Sequence, residues 1–270
     1  MIGVEVRKLF GRPRTWVTIA LLCALPALVA VFLAVTEVGP RPGEGPTFLA
    51  AVLGNGALYP AAALGIVLPV FLPVAVAVVA GEAVAGEASA GTLRYLLVRP
   101  VGRTRLLVAK LVSICLFVLV AVTAVAVSAY FIGTALLGTT PLATTTTMSG
   151  TPLTPEDLAV RTVLMVLYIG WSMLGVASLS LFLSTLTDSA LGAAMGGLAL
   201  LVTSTVLVTL DAADAVRDYL PTRYWLAWVD LFREPILWRD LERGVLVQGV
   251  YVVVLLAMAW ASFTTKDVTS

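Results

Sequence analysis

Six predominantly apolar stretches, each of 20 residues or more, constrain this chain more than any other feature of its sequence. They run at about 16–35, 58–80, 106–137, 160–186, 190–210 and 244–263. A helix of about 20 residues, rising about 1.5 Å per residue, crosses about 30 Å of hydrocarbon. Residues AVILMFWYC make up 60% of the 270 and charged residues 12%, against about a quarter charged in soluble proteins. A water-soluble fold could not cover so much apolar surface. The sequence therefore predicts an all-α, polytopic membrane protein in which residues 1–270 form a single transmembrane domain.

Several chemistries are excluded by what is missing. There is no histidine, which removes Ser-His-Asp and Cys-His nucleophile pairs, His-ligated zinc and His proton relays. No GxxxxGK[ST] phosphate loop occurs. The net charge of +1 gives no footprint for nucleic acid. Cys23 and Cys115 lie inside apolar stretches, where small apolar filler is the expected role. No catalytic residue and no metal site is predicted, so the chain is read as a non-enzyme.

Reading along the chain, residues 1–11 place Ile2, Val6, Leu9 and Phe10 roughly on one helical face, which predicts either a short helix in the membrane interface or an ordinary charged tail. The first stretch is too long for a signal h-region and ends without a small-x-small site, so a retained helix is expected. The second contains Pro69 and Pro73, one turn apart, and predicts a bent helix that is either a simple kink or a pathway-lining segment. The fourth and fifth carry hydroxyls, among them Ser172, Ser178, Ser180, Ser184, Thr203 and Thr205, for which helix–helix hydrogen bonding is the plain expectation. Gly192 and Gly196 form a small-xxx-small pair that serves either packing within the bundle or a dimer interface. Pro69, Pro73, Gly192, Gly196, Thr203 and Thr205 are thus candidate pathway or dimer-interface residues. Trp225, Trp228, Phe232 and Trp238, set among charges between the fifth and sixth stretches, predict interfacial outer helices.

Lys and Arg orient the bundle. With the N-terminus inside, Arg7, Lys8, Arg12, Arg14, Arg94, Arg99, Arg103, Arg105, Lys110 and Lys266 are cytoplasmic, and the short outer loops keep only Arg41 and Arg161. The expected topology therefore has both termini cytoplasmic. Ionisable groups are expected to be absent from the span centres, which disfavours ion-coupled transport. Solvated charge at the membrane surface is the plain expectation for Arg103, Arg105 and Lys110.

Between the second and third stretches lies the cytoplasmic segment 81–105. The second helix is expected to continue through Glu82 and Glu87 and to stop at Gly91, a favoured terminator. Thr92 suits an N-cap. Leu93, Leu96 and Leu97 make one apolar stripe at i, i+3, i+4. Pro100 ends the short helix, and Thr104 is placed to cap the third span. Such a helix, held across the ends of two spans, is suited to docking into a groove of a soluble partner.

The run Gly-Glu-x4-Glu-x3-Gly-Thr-Leu-x2-Leu-Leu-x2-Pro-Val-x-Arg-x6-Lys, from Gly81 to Lys110, resembles the cytoplasmic signature of type-2 ABC exporter permeases. Leu181–Ser189, Leu220-Pro221 with Trp225, and Phe263 with Lys266-Asp267 are similar to that family's later landmarks; Gly102 departs from its usual serine. The resemblance implies a half-transporter in the cytoplasmic (inner) membrane of a prokaryote. It would pair with a second permease copy or a similar permease, within membrane lipid, above two copies of an ABC ATP-binding subunit. ATP and Mg would belong to that partner, and this chain would hold no cofactor. Glu82, Glu87, Gly91, Thr92, Leu93, Leu96, Leu97 and Pro100 become the ATPase-coupling candidates. On this reading, Glu87→Ala or Leu96→Asp leaves the membrane fold intact and uncouples ATP hydrolysis from transport. The alternative is a non-transporting membrane scaffold or sensor that anchors an ATPase. The spans are compatible with lipophilic drugs, peptides, lipids or a lipid-linked glycan as cargo, and favour none of them.

Overall fold

The computed structural model describes residues 1–36, 55–91, 102–138 and 153–265, and the described residues are helical with no β-strand. Nine α-helices are described: α1 Ile2–Phe10, α2 Pro13–Thr36, α3 Tyr59–Val67, α4 Phe71–Ser89, α5 Arg103–Leu136, α6 Pro155–Leu186, α7 Ala190–Thr209, α8 Asp214–Arg217 and α9 Trp238–Thr265. Six of them, α2, α4, α5, α6, α7 and α9, are long and apolar enough to cross a membrane. Their outward faces are apolar too: Val35, Leu191, Leu246, Val253 and Leu28 are each more than two-thirds exposed. Six serines and the charged side chains of Glu87, Lys110 and Arg161 are buried among the described residues. Apolar surface on this scale needs lipid around it, so the chain is a multi-pass membrane protein.

Helix ends follow local chemistry. Thr154 caps α6 by accepting from the Asp157 N–H at 3.1 Å, with Pro155 in the first turn and Glu156 and Asp157 facing the positive end of the dipole. Ser189 caps α7 by accepting from the Gly192 N–H at 3.1 Å, just after the Thr187-Asp188 turn that ends α6. Gly91 adopts φ +67 just past α4, the left-handed terminator the sequence predicts. At α5 the expectation fails. Gly102 is the N-cap, and the Thr104 hydroxyl instead accepts from Trp260 Nε1 at 2.9 Å.

The second stretch is not one bent span. It divides into α3 and α4 around residues 68–70. Pro69 has no N–H with which to extend α3, and Val70 leaves helical geometry (φ −135, ψ −58). Pro73 falls in the first turn of α4, where a missing N–H costs nothing. Nine residues make α3 about 13 Å long, too short to cross the bilayer. It enters beside the C-terminal end of α5, where the Gly56 N–H donates to Gly138 O at 3.0 Å, and most of its residues are buried.

α6 is the central helix, packed against α4, α5, α7 and α9; α2 and α3 pack on α5. α1 lies across the start of α5. Arg103 Nη1 donates to the Thr264 carbonyl at 2.8 Å, placing the C-terminal end of α9 beside the N-terminal end of α5. A guanidinium there also meets the negative end of the α9 dipole. The N-terminal helix and the C-terminal end of α9 therefore share one end of the bundle, called basal below; the other end is distal.

Candidate functional site

The basal end is built around Glu87, in the last turn of α4. Its side chain is 6% exposed and meets Lys110 Nζ of α5 at 2.7 Å and the Lys8 ammonium of α1. Lys110 is itself 2% exposed and lies 3.6 Å from Glu5 Oε2 of α1. One carboxylate and one ammonium thus join three elements. Glu82, five residues earlier, faces another way, because five residues turn a helix about 140° past a full revolution. It accepts from Arg14 Nη1 at 2.8 Å, and Arg12 Nη1 stands 3.9 Å away. α4 is in this way tied to α1 and α5 through Glu87 and to the start of α2 through Glu82.

The α1–α2 corner is fixed by side chains that satisfy the free carbonyls of the α1 C-terminus. Thr15 Oγ1 donates to Leu9 O at 2.7 Å and Trp16 Nε1 to Phe10 O at 2.8 Å. Val6, Leu9 and Phe10 are half-buried, as an amphipathic helix requires, whereas Ile2 and Val4 are exposed. On the opposite side of α4, the fully buried Ser184 of α6 donates to Gly81 O at 2.6 Å. Ser184 Oγ in turn accepts from the Val84 and Ala85 N–H groups at 3.1 and 2.8 Å. Gly81 is also where α7 comes closest: a Cβ there would stand 2.9 Å from Ala194 N. A cleft of about 640 Å³ opens between α2 and α4 beside the charges, with Glu5, Lys8, Arg12, Arg14, Glu82, Glu87 and Lys110 in its lining.

The distal end is closed by residues 219–234. Arg161 of α6 is buried and donates to Leu231 O at 2.9 Å, Arg233 O at 3.0 Å and Glu234 Oε2 at 2.6 Å. The Tyr168 hydroxyl donates to Tyr224 O at 2.8 Å and Tyr251 to Tyr219 O at 3.0 Å. Gln248 bonds Pro221 O, and Ser204 bonds Thr222 at 2.8 Å. Trp225, Trp228 and Phe232 are buried, which corrects the expectation of aromatics on an interfacial surface helix. The Trp228 ring lies against Gly65 of α3, in space left by a short helix of small side chains. Only Trp238, half-exposed at the start of α9, keeps the expected setting.

Of the coupling candidates, Glu82, Glu87 and Gly91 are placed as above; Thr92, Leu93, Leu96, Leu97 and Pro100 lie outside the described residues. Lys110 is not the solvated charge expected of it, because α1 covers it and two carboxylates neutralise it. Glu5 and Lys8 were missed as partners. Their signal was the i, i+3 spacing that puts both on one face of α1. The pathway candidates do not converge. Pro69 is exposed and Pro73 buried; Gly192, Thr203 and Thr205 face outward, and both threonines bond carbonyls of their own helix. Close packing of α7 on α6 uses Gly197, against Ser180, and Gly196, against Leu183, whereas Gly192 meets only the turn that precedes it. Ser184 makes the helix–helix bond expected of the hydroxyls, Ser204 bonds Thr222 in the distal loop, and Ser172 and Ser178 bond carbonyls within α6.

The family model DUF2705, described as a protein of unknown function, matches residues 47–269. The chain belongs to the DUF2705 family. Among curated proteins it has no match. The DUF2705 match takes in Glu82, Glu87 and Lys110 and leaves out α1, so the cluster joins residues inside the matched region to four outside it, Glu5, Lys8, Arg12 and Arg14.

Proposed function

We propose that this chain is the membrane-spanning permease subunit of an ATP-driven ABC exporter in a prokaryotic inner membrane, with both termini cytoplasmic. It would work as a dimer and be driven by a separate ATPase docked on residues 81–105. The observation that carries this reading is the placement of Glu87 and Lys110. Both belong to the motif that resembles the type-2 exporter signature, and they stand on either side of residues 92–101, the middle of the segment that would receive the ATPase. Their buried pair fixes the two helix ends from which that segment leaves. A push on residues 92–101 would then reach α4 and α5 together, and α1 through Lys8 and Glu5. Rigid attachment of this kind is what force transmission across a protein interface needs.

Glu87→Ala cannot serve as the uncoupling test that the sequence alone favours, because it strands a buried lysine. Leu96→Asp is the better variant. The complex of this chain with a candidate P-loop ATPase partner is reconstituted in vesicles, and solute movement is followed with ATP hydrolysis. Leu96→Asp is expected to abolish ATP-dependent movement while the protein keeps its unfolding temperature. Unchanged transport by Leu96→Asp would refute docking through this segment. ATPase binding without any solute movement would favour the scaffold.

A further inference from the structure

We propose that the cleft between α2 and α4 is a binding site for one anionic phospholipid, whose phosphodiester sits between Arg12 and Arg14. The proposal does not depend on whether the chain transports anything. Three observations carry it. Charge is the first. Seven ionisable side chains line the cleft, four basic and three acidic. Lys8, Lys110, Glu5 and Glu87 neutralise one another across α1, α4 and α5. Arg12 and Arg14 share the single carboxylate of Glu82, so the α2 side keeps one surplus positive charge, which matches one phosphodiester monoanion.

The second observation is donor availability. Arg14 is engaged by Glu82, but among the described residues the ion-pair contact of Arg12 is a long one, at 3.9 Å. The two side chains are 39% and 54% exposed, open to a ligand rather than sealed. A guanidinium with uncommitted donors is suited to bidentate capture of phosphate oxygens.

The third is the order of chemistry along the cleft. Val78 and Val79 precede Glu82 on α4, and Thr18 follows Arg14 on α2. Charges lie toward the basal end, and about one helical turn, or about 5 Å, farther into the bundle Val78, Val79 and Ile114 make an apolar wall, faced by Thr18, whose hydroxyl is spent on the Arg14 carbonyl of its own helix. A free anion has no use for that second part. A lipid places its headgroup at the charges and the start of an acyl chain against the valines. The basal end carries the charged, amphipathic helix α1, which suits a site at headgroup depth.

The test follows the unfolding temperature of the full-length, detergent-purified protein as phosphatidylglycerol is titrated in; a ligand that binds only the folded state raises it. The wild type is expected to be stabilised by phosphatidylglycerol and much less by phosphatidylcholine. Water-soluble glycerophosphoglycerol at the same concentration is expected to do nothing. Arg12→Gln/Arg14→Gln is expected to bind phosphatidylglycerol at least about tenfold more weakly, the loss of one charge-assisted hydrogen bond or more. Arg7→Gln, outside the cleft lining, should titrate as wild type. Val79→Trp fills the apolar part, leaves every charge in place and is also expected to weaken binding. It decides alone if the arginine variant fails to fold. The proposal is overturned if either variant titrates as wild type, if phosphatidylcholine matches phosphatidylglycerol, or if the soluble headgroup reproduces the shift.

Discussion

Lys110 lies about two turns into α5, 2% exposed, with its ammonium 2.7 Å from Glu87 and 3.6 Å from Glu5. A buried ion pair is weak evidence for stability, because desolvation offsets most of the attraction; removing one partner is what costs, about 3–5 kcal/mol. Glu87→Ala and Lys110→Met are each expected to lower stability by about that amount. The double variant should lose clearly less than the sum of the two, with a coupling energy of about 0.5–3 kcal/mol. Unfolding of the three variants in detergent completes the cycle. Simple addition would mean that the two groups do not sense each other. Lys8 and Glu5 soften each single loss, and this favours the lower end of the range. Arg161→Gln tests the distal latch in the same way. Three acceptors lose a cation, so protease accessibility of residues 219–234 should rise while the basal cluster is unaffected.

At the scale of elements, α4 depends on close approach. The Ser184 hydroxyl bonds three backbone groups of its Gly81–Ala85 turn, and α7 packs where Gly81 has no side chain. Gly81→Val should drive α4 and α7 apart at a cost of about 1–3 kcal/mol or more, since the obstacle is backbone and cannot rotate away. Gly170→Ala on α6 is the control: nothing lies within 4 Å of the added methyl, so no loss is expected. Denaturation midpoints of the two variants measure the contrast. Much at this scale was legible in the sequence. The end of α4 at Gly91 and the amphipathic face of α1 follow from local backbone and hydrogen-bonding rules. The division of the second span was half-legible. Pro69 announces a disturbance, but whether a helix bends or breaks there depends on what packs around the freed backbone groups.

For the whole molecule, the bundle predicts a simple sidedness. After Cys23 and Cys115 are replaced by alanine, single cysteines at Arg7 and Thr265 should be labelled from the same face of the membrane, and one at Asp218 from the opposite face. Impermeant thiol reagents on sealed vesicles read this directly. Labelling of Arg7 and Thr265 from opposite faces would contradict the shared basal end seen in the Arg103–Thr264 contact. The sequence by itself determined the all-α membrane class, the six spans and where most of them end on the C-terminal side. Those follow from hydropathy over about 20 residues and from neighbours a few positions apart, which are local quantities. Only the tertiary structure decided which charges are buried and with whom. Lys8 and Glu87 stand 79 positions apart in the chain, and hydropathy counts each as an ordinary surface charge. Trp228 likewise reads as interfacial until the space beside Gly65 is known. Burial and pairing are relations between elements, and the packing of α1, α4 and α5 creates them.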